Sequence, residues 1–317
     1  MAIVGIDAVI YGVDSLDKGR RFFEDWGLAR VRSGKQAVVL EAQDGAQVIL
    51  KPRKAKDLPK PIEAGNTVRE VVWGVSSARD LARIKAELAR DRTVTVDRDG
   101  TLHSVDDMGL GIAFRRSRRR KLKKPGRTPI NAPQAPARID ARAIYYDRAR
   151  PLTLGHCVFM CPDYRKMERF YTKRLGFRVS DYYTGRGVFL RASPRGGHHN
   201  LFFLEDENGA TALNHVAFGV RDVHEVFAGG LHVTGKGCET AIGPGRHHVS
   251  SCYFWYFRNP CGGNIEYFTD EDFLTEKWKP GHWNPKPETF AEWVLAKGLP
   301  RARALPPTRT RQDAARR

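Results

Sequence analysis

Three residues in the second half of the chain, His156, His215 and Glu266, could together hold a metal ion. Each sits in a short apolar run: LGHCVF, LNHVAF and GGNIEYF. An apolar strand is a costly place for a carboxylate unless it is paired, protonated or metal-bound. Strand alternation would put each of the three side chains on one face, with its neighbours on the other. Two imidazoles and one carboxylate occupy one face of an octahedral ion and leave the other positions open. That donor set is used by non-haem Fe(II) oxygenases.

An internal repeat is what groups these residues. IDAVIYGVDSLDKGRRFFEDWGLARV (6–31) is echoed by GHCVFMCPDYRKMERFYTKRLGFRVS (155–180), and VREVVWGVSSARDLARIKAEL (68–88) by LNHVAFGVRDVHEVFAGGL (213–231). The chain therefore reads as four copies of one strand-helix-strand unit, of α+β class, with mostly antiparallel strands after each helix. Gly27 and Gly176 fall where helix C-caps belong. Aligning the halves sets His156 opposite Asp7, His215 opposite Glu70, and Glu266 opposite Ala113. A set confined to one of two halves that share a fold points to chemistry rather than folding.

The stretch GRHHVSSCYFWYFRNPCGGNIEYF (245–268) reads as a β-hairpin, two aromatic-rich runs flanking the turn residues RNPCGG. It resembles the signature of the extradiol ring-cleaving dioxygenases of the vicinal oxygen chelate superfamily. The match runs from Gly245, Arg246 and His247 through Trp255 and Tyr256 to the turn at Asn259, Pro260, Cys261 and Gly262, and closes on Glu266. Trp255 departs from the smaller aliphatic residue or Phe usual there. The resemblance implies two domains, each of paired βαβββ modules, the C-terminal one an incomplete barrel around the metal. Residues 1–118 would be a degenerate, metal-free domain, 119–150 a basic, Pro-rich linker, and 151–272 the catalytic metal-binding domain. Residues 273–317 would be a Trp/Pro-rich segment and basic tail.

The same resemblance implies that His156, His215 and Glu266 hold Fe(II), with Mn(II) able to use the same set. It makes His199, in SPRGGHHNLFFLE (193–205), the acid–base histidine, and His247 and Tyr256 the residues that bond substrate and oxygen. Val158 and Ile242 are expected to contact substrate. The implied activity is O2-dependent meta cleavage of a catechol, in aromatic compound degradation. Elementary chemistry agrees: the diol must lose a proton to chelate, and a proton is needed later, which suits a histidine titrating near neutrality. Tyr256 offers a phenolic O–H. Relatives acting on carboxylated catechols are expected to carry Arg at the position of Ile242, so an uncharged alkyl-, aryl- or hydroxyl-substituted catechol is expected. Arg191 and Arg195 are the cations that could alter that.

Composition bounds the other readings. A chain of 317 residues, 41% hydrophobic and 28% charged, is long enough for two domains. Of the net +18, RRSRRRKLKK (115–124) and the tail RARALPPTRTRQDAARR (301–317) hold 13 charges. These are expected to be a solvated linker and a frayed tail, and nucleic acid is not an expected partner. A basic binding module is the alternative from another class, but a structural metal site would normally be closed by four ligands. Within the superfamily, the alternatives are a glyoxalase-like isomerase or a thiol transferase. No apolar run reaches the ~18 residues of a membrane span, and MAIVGIDAVIYGV lacks a basic n-region. With five cysteines, expected to be reduced, a cytoplasmic homo-oligomer is expected. In the pairs His198/His199 and His247/His248 only one ring each can face a metal. His103, His224, His232 and His282 have no partner at useful spacing. GPGRHH lacks the pattern of a phosphate loop. Trp278, Trp283 and Trp293 are expected to pack the C-terminal segment on the body, with a cover for the site or a subunit contact as alternatives.

Overall fold

The computed structural model describes residues 3–122 and 129–295; the basic tail 301–317 lies outside the described residues. Four modules follow one another. The first is β1 (Ile3–Val13), α1 (Leu16–Asp25), β2 (Ala29–Ser33), β3 (Val38–Glu41) and β4 (Gln47–Pro52). The second is β5 (Thr67–Val75), α2 (Ala78–Leu88), β6 (Thr95–Val96), β7 (Leu102–Val105) and β8 (Gly111–Arg116). The third is β9 (Thr153–Cys161), α3 (Tyr164–Arg169) running into a π-helical turn (Phe170–Arg174), β10 (Arg178–Tyr183), β11 (Gly187–Arg191), the short β12 (Gly196–Gly197) and β13 (Leu201–Glu205). The fourth is β14 (Ala212–Gly219), α4 (Val223–Gly235), β15 (Thr240–Arg246), β16 (Tyr253–Arg258) and β17 (Asn264–Thr269). A C-terminal strap follows, with β18 (Phe273–Leu274), β19 (Gly281–Trp283), α5 (Pro287–Phe290) and β20 (Trp293–Val294).

The helices start alike because each module places an oxygen-bearing side chain at the N-cap. Ser15, Ser77, Asp163 and Asp222 accept the backbone N–H of Lys18, Asp80, Lys166 and Glu225. Gly27 ends the first of them at φ 98°, and a Cβ there would collide with the Ala149 carbonyl oxygen, so glycine is required twice over.

Within each module the strands after the helix run antiparallel, and the last returns parallel to the first, as β4 does beside β1 and β17 beside β14. Two modules join edge to edge through their first strands, giving an eight-stranded sheet β2-β3-β4-β1-β5-β8-β7-β6. The second half gives the ten-stranded order β19-β10-β11-β13-β9-β14-β17-β16-β15-β20. Both outermost strands of that sheet come from the strap.

The strand registers correct the alignment read from sequence. Ala8 faces Val72, which faces Ala113, just as His156 faces Ala217, which faces Glu266. His156 therefore corresponds to Ala8, not Asp7. A register shift between Ile6 and Ala8 makes Asp7 a bulge residue, and spacing alone does not reveal a bulge. Glu70 and Ala113 do hold the places of His215 and Glu266. The would-be site of the first half has Ala8, Ile10, Val72 and Ala113 as an apolar cluster, and its buried Glu70 pairs with His103 Nδ1 at 2.9 Å.

One large core cluster draws buried residues from both sheets. Trp26 stacks on Tyr267 at 3.6 Å, and the Tyr267 hydroxyl donates to the Trp26 carbonyl at 2.7 Å. The described part of the basic tract differs from a solvated linker. Arg115 pairs with Asp7, Arg118 with Asp99, Arg119 with Asp44, and Arg120 with Glu41. Among the described residues no helix is long and apolar enough to cross a membrane.

Candidate metal centre

Three adjacent strands deliver the candidate ligands. His156 comes from β9, His215 from β14 and Glu266 from β17, all buried. His156 Nε2 lies 3.0 Å from Glu266 Oε2, His215 Nε2 lies 3.3 Å from the same oxygen, and the two Nε2 atoms are 3.2 Å apart. Lone pairs from three groups thus converge on one point, which a cation satisfies and hydrogen bonds alone do not. Glu266 Oε1 is buried without a hydrogen-bond partner. Burial pushes the Glu266 carboxyl up, but His156, His215 and His247 more than offset it and hold it well below the usual carboxylate range. An anionic oxygen beside two imidazoles is a donor set that fits a divalent transition-metal ion.

A cavity of about 290 Å3 opens beside these atoms. His156, His199, His215, His247 and Tyr256 line its polar side, with Asn214 and Asn264. Val158, Phe189, Phe202, Ile242, Val249 and Phe290 form apolar walls. All eight residues expected from sequence therefore meet at one place. Val158 lies two positions along β9 from His156 and packs with Phe189, Phe202 and Val249. Ile242 pairs with Tyr256 across β15 and β16.

The adjacent histidines separate as strand geometry requires. His199 lines the cavity, its ring 4.1 Å from that of His156, while His198 is buried behind it with Nε2 3.0 Å from Asp181. Burial, then the neighbouring His156, push His199 well below the ordinary imidazole range. His247 lines the cavity and His248 is exposed. His247 Nδ1 donates to the Phe290 carbonyl at 2.7 Å, so its Nε2 accepts from the Tyr256 hydroxyl at 3.0 Å. Burial and the nearby Glu266 charge push the Tyr256 phenol well up, keeping it a donor.

Neither arginine singled out from sequence lines this cavity. Arg191 donates to the carbonyls of Val179 and Thr275, and Arg195 is largely exposed near Glu276. No Lys or Arg is among the described lining residues.

Several site residues carried no signal in the sequence. Asn214 lines the cavity beside His215 because a register shift between Leu213 and His215 breaks the alternation, and its Oδ1 accepts His215 Nδ1–H at 2.8 Å. Glu271 Oε1 reaches His199 Nδ1 at 3.4 Å, an approach open only because Gly197 has no Cβ. Phe290 arrives from the distant strap.

Known proteins share the architecture. Residues 153–267 match the Glyoxalase/Bleomycin resistance protein/Dioxygenase superfamily model. Over 148 residues the chain is 32% identical to metapyrocatechase 2 of Cupriavidus necator. That match spans 46% of this chain and 45% of the relative, a little under half of each. The structure of a Mn(II)-bound glyoxalase from Novosphingobium aromaticivorans superimposes with a TM-score of 0.72 at 23% identity, covering 92% of this chain and 91% of that one. A 2,2',3-trihydroxybiphenyl 1,2-dioxygenase from Sphingomonas wittichii strain RW1 superimposes with a TM-score of 0.69 at 17% identity, covering 94% and 100%. At those identities the structures fix the fold: α+β, of the vicinal oxygen chelate type, in both halves of the chain.

Proposed function

We propose that the protein is an Fe(II)-dependent extradiol dioxygenase that cleaves an uncharged catechol next to the diol. Residues 151–272 would be its catalytic domain and 1–118 a metal-free partner. The observation that carries this reading is the convergence of His156, His215 and Glu266 at a cavity whose other polar walls are His199, His247 and Tyr256. When bound, Fe(II) supplies the Lewis acidity and one-electron chemistry that couple a closed-shell diol to O2. The chain does the rest. His199, neutral at pH 7, takes the proton that the diol releases and returns one later. Tyr256 donates its O–H to His247 Nε2, which fixes the hydroxyl so that its oxygen can accept from a substrate O–H. Phe189, Phe202, Ile242 and Phe290 hold the ring and exclude water.

A cavity with no Lys or Arg among its described lining residues favours neutral substituents, because a carboxylate buried there would lack a bidentate partner. Ile242, which lines the cavity, offers no charge to such a group. The superposition on a Mn(II)-bound glyoxalase favours a second reading, an isomerase using Mn(II). The same lack of lining cations counts against a polyanionic thiol conjugate in the cavity.

The test is anaerobic loading with Fe(II) or Mn(II), followed by a catechol panel in air, reading the yellow ring-fission product. No product from protein shown to hold either metal would sink the proposal. Methylcatechols and 2,3-dihydroxybiphenyl are expected to exceed homoprotocatechuate in kcat/KM. A tenfold advantage for homoprotocatechuate, about 1.4 kcal/mol of transition-state preference, would overturn the Ile242 argument.

A further inference from the structure

Two buried residues that do not line the cavity govern the one histidine expected to move protons. Asp181, on β10, places Oδ2 3.0 Å from His198 Nε2, while its Oδ1 accepts the Gly281 backbone N–H at 2.5 Å. His198 Nδ1 in turn lies 3.1 Å from His199 Nδ1. The order Asp181, His198, His199 is therefore a chain of three groups ending in a ring that lines the cavity.

The protons in this chain can be assigned by donor counting. An ionised carboxylate only accepts, so His198 Nε2 carries the hydrogen. With His198 neutral it has one N–H, so its Nδ1 is an acceptor and His199 Nδ1 donates to it. Glu271 Oε1 accepts the His199 backbone N–H at 3.3 Å and lies 3.4 Å from His199 Nδ1. The bond to His198 draws the proton to Nδ1 and leaves Nε2 bare. Rigid packing maintains the arrangement. His198 is fully buried, and its carbonyl accepts the Ser180 hydroxyl, which Arg191 also contacts at 3.1 Å.

We propose that Asp181 and His198 are positioning residues that lock His199 in its Nδ1–H tautomer, so that a bare Nε2 is offered to the cavity as the base. The tautomer follows from these contacts with Asp181 ionised and His198 neutral; its catalytic consequence rests on the ring-cleavage reading. The logic is that of a carboxylate orienting a catalytic histidine, where replacing the carboxylate by its amide leaves the wrong tautomer. Here the amide has one sensible orientation. In Asp181→Asn the Gly281 N–H keeps the oxygen, so the amide nitrogen faces His198 and donates to it. His198 must then protonate Nδ1, and His199 is driven to the Nε2–H form.

The experiment is long-range 1H–15N NMR of the full chain loaded with diamagnetic Zn(II), together with kinetics of the iron-loaded enzyme. The parent is expected to show His199 protonated at Nδ1, and Asp181→Asn to show it at Nε2. In the variant kcat is expected to fall at least about 100-fold, with KM and metal content changed less than about threefold, and Asp181→Glu to recover much of the loss. A parent spectrum with His199 protonated at Nε2 overturns the proposal, and needs no variant to fold. So does an Asp181→Asn protein with unchanged tautomer and kcat. The spectrum decides the tautomer even if no catechol is turned over, so failure of the ring-cleavage reading is seen separately.

Discussion

At the scale of single residues, the burden falls on Glu266, fully buried and held ionised by three histidines. Its replacement by Ala, like His156→Ala or His215→Ala, is expected to abolish stoichiometric metal binding while the sheet persists. Elemental analysis of each purified variant checks this, and full occupancy in any one removes that residue from the ligand set. Asn214 acts on the centre at one remove, through its hydrogen bond to His215 Nδ1. Asn214→Ala is expected to weaken metal affinity about 10–100-fold without changing the ligand set, as read by competition with a chelator. The ligand positions were legible because a buried carboxylate and two strand histidines recur in one half of a repeat and not the other. Asn214 and Glu271 were not, since one depends on a bulge and the other on the closeness of Gly197, and neither leaves a spacing in the chain.

At the scale of elements, a strand-helix-strand unit could be read from the repeated pattern and from the glycines at helix ends, while the full βαβββ module followed only from the family resemblance. The one-residue error in matching Asp7 to His156 arose where β1 bulges, a local geometry that hydrophobic periodicity averages over. The strap was the least legible element. Its aromatic residues announce packing but not a destination, and contacts such as Tyr183 Oη to the Thr289 carbonyl at 3.1 Å span 106 residues. Since Phe290 both lines the cavity and offers its carbonyl to His247, Phe290→Ala is expected to raise KM for an aryl-substituted catechol about tenfold and kcat to change less. Steady-state kinetics on 2,3-dihydroxybiphenyl and catechol would show whether the loss follows the aryl group. The last described backbone contact of the strap is Leu295 N–H to the Pro244 carbonyl at 3.0 Å. Deletion of 301–317 is therefore expected to leave ring cleavage within about threefold of the parent.

At the scale of the whole molecule, the halves are joined by a buried polar contact as well as by the shared core. Tyr171, from the second half, donates to Asp106 of the first at 2.9 Å, and the Met108 and Leu110 N–H groups donate to the same carboxyl. Burial dominates and raises the Asp106 pKa from 3.8 to about 7. A carboxyl with a raised folded pKa stabilises the fold most below the unfolded value, and that contribution is lost as pH rises through the folded one. Stability is thus expected to fall by a few kcal/mol between about pH 4 and 7 on this account. Asp106→Asn should flatten that part of the profile in urea titrations; an unchanged slope would refute the assignment. The strap has a consequence of another kind. It supplies β19 and β20, which cover opposite margins of the ten-stranded sheet. Cutting the chain after Leu274 would bare the margins of β10 and β15 together, and a sheet with two raw edges is a template for adding strands from other copies. Such a truncated protein is expected to polymerise rather than merely lose activity, so the segment that walls the cavity is also what keeps each molecule from recruiting the next.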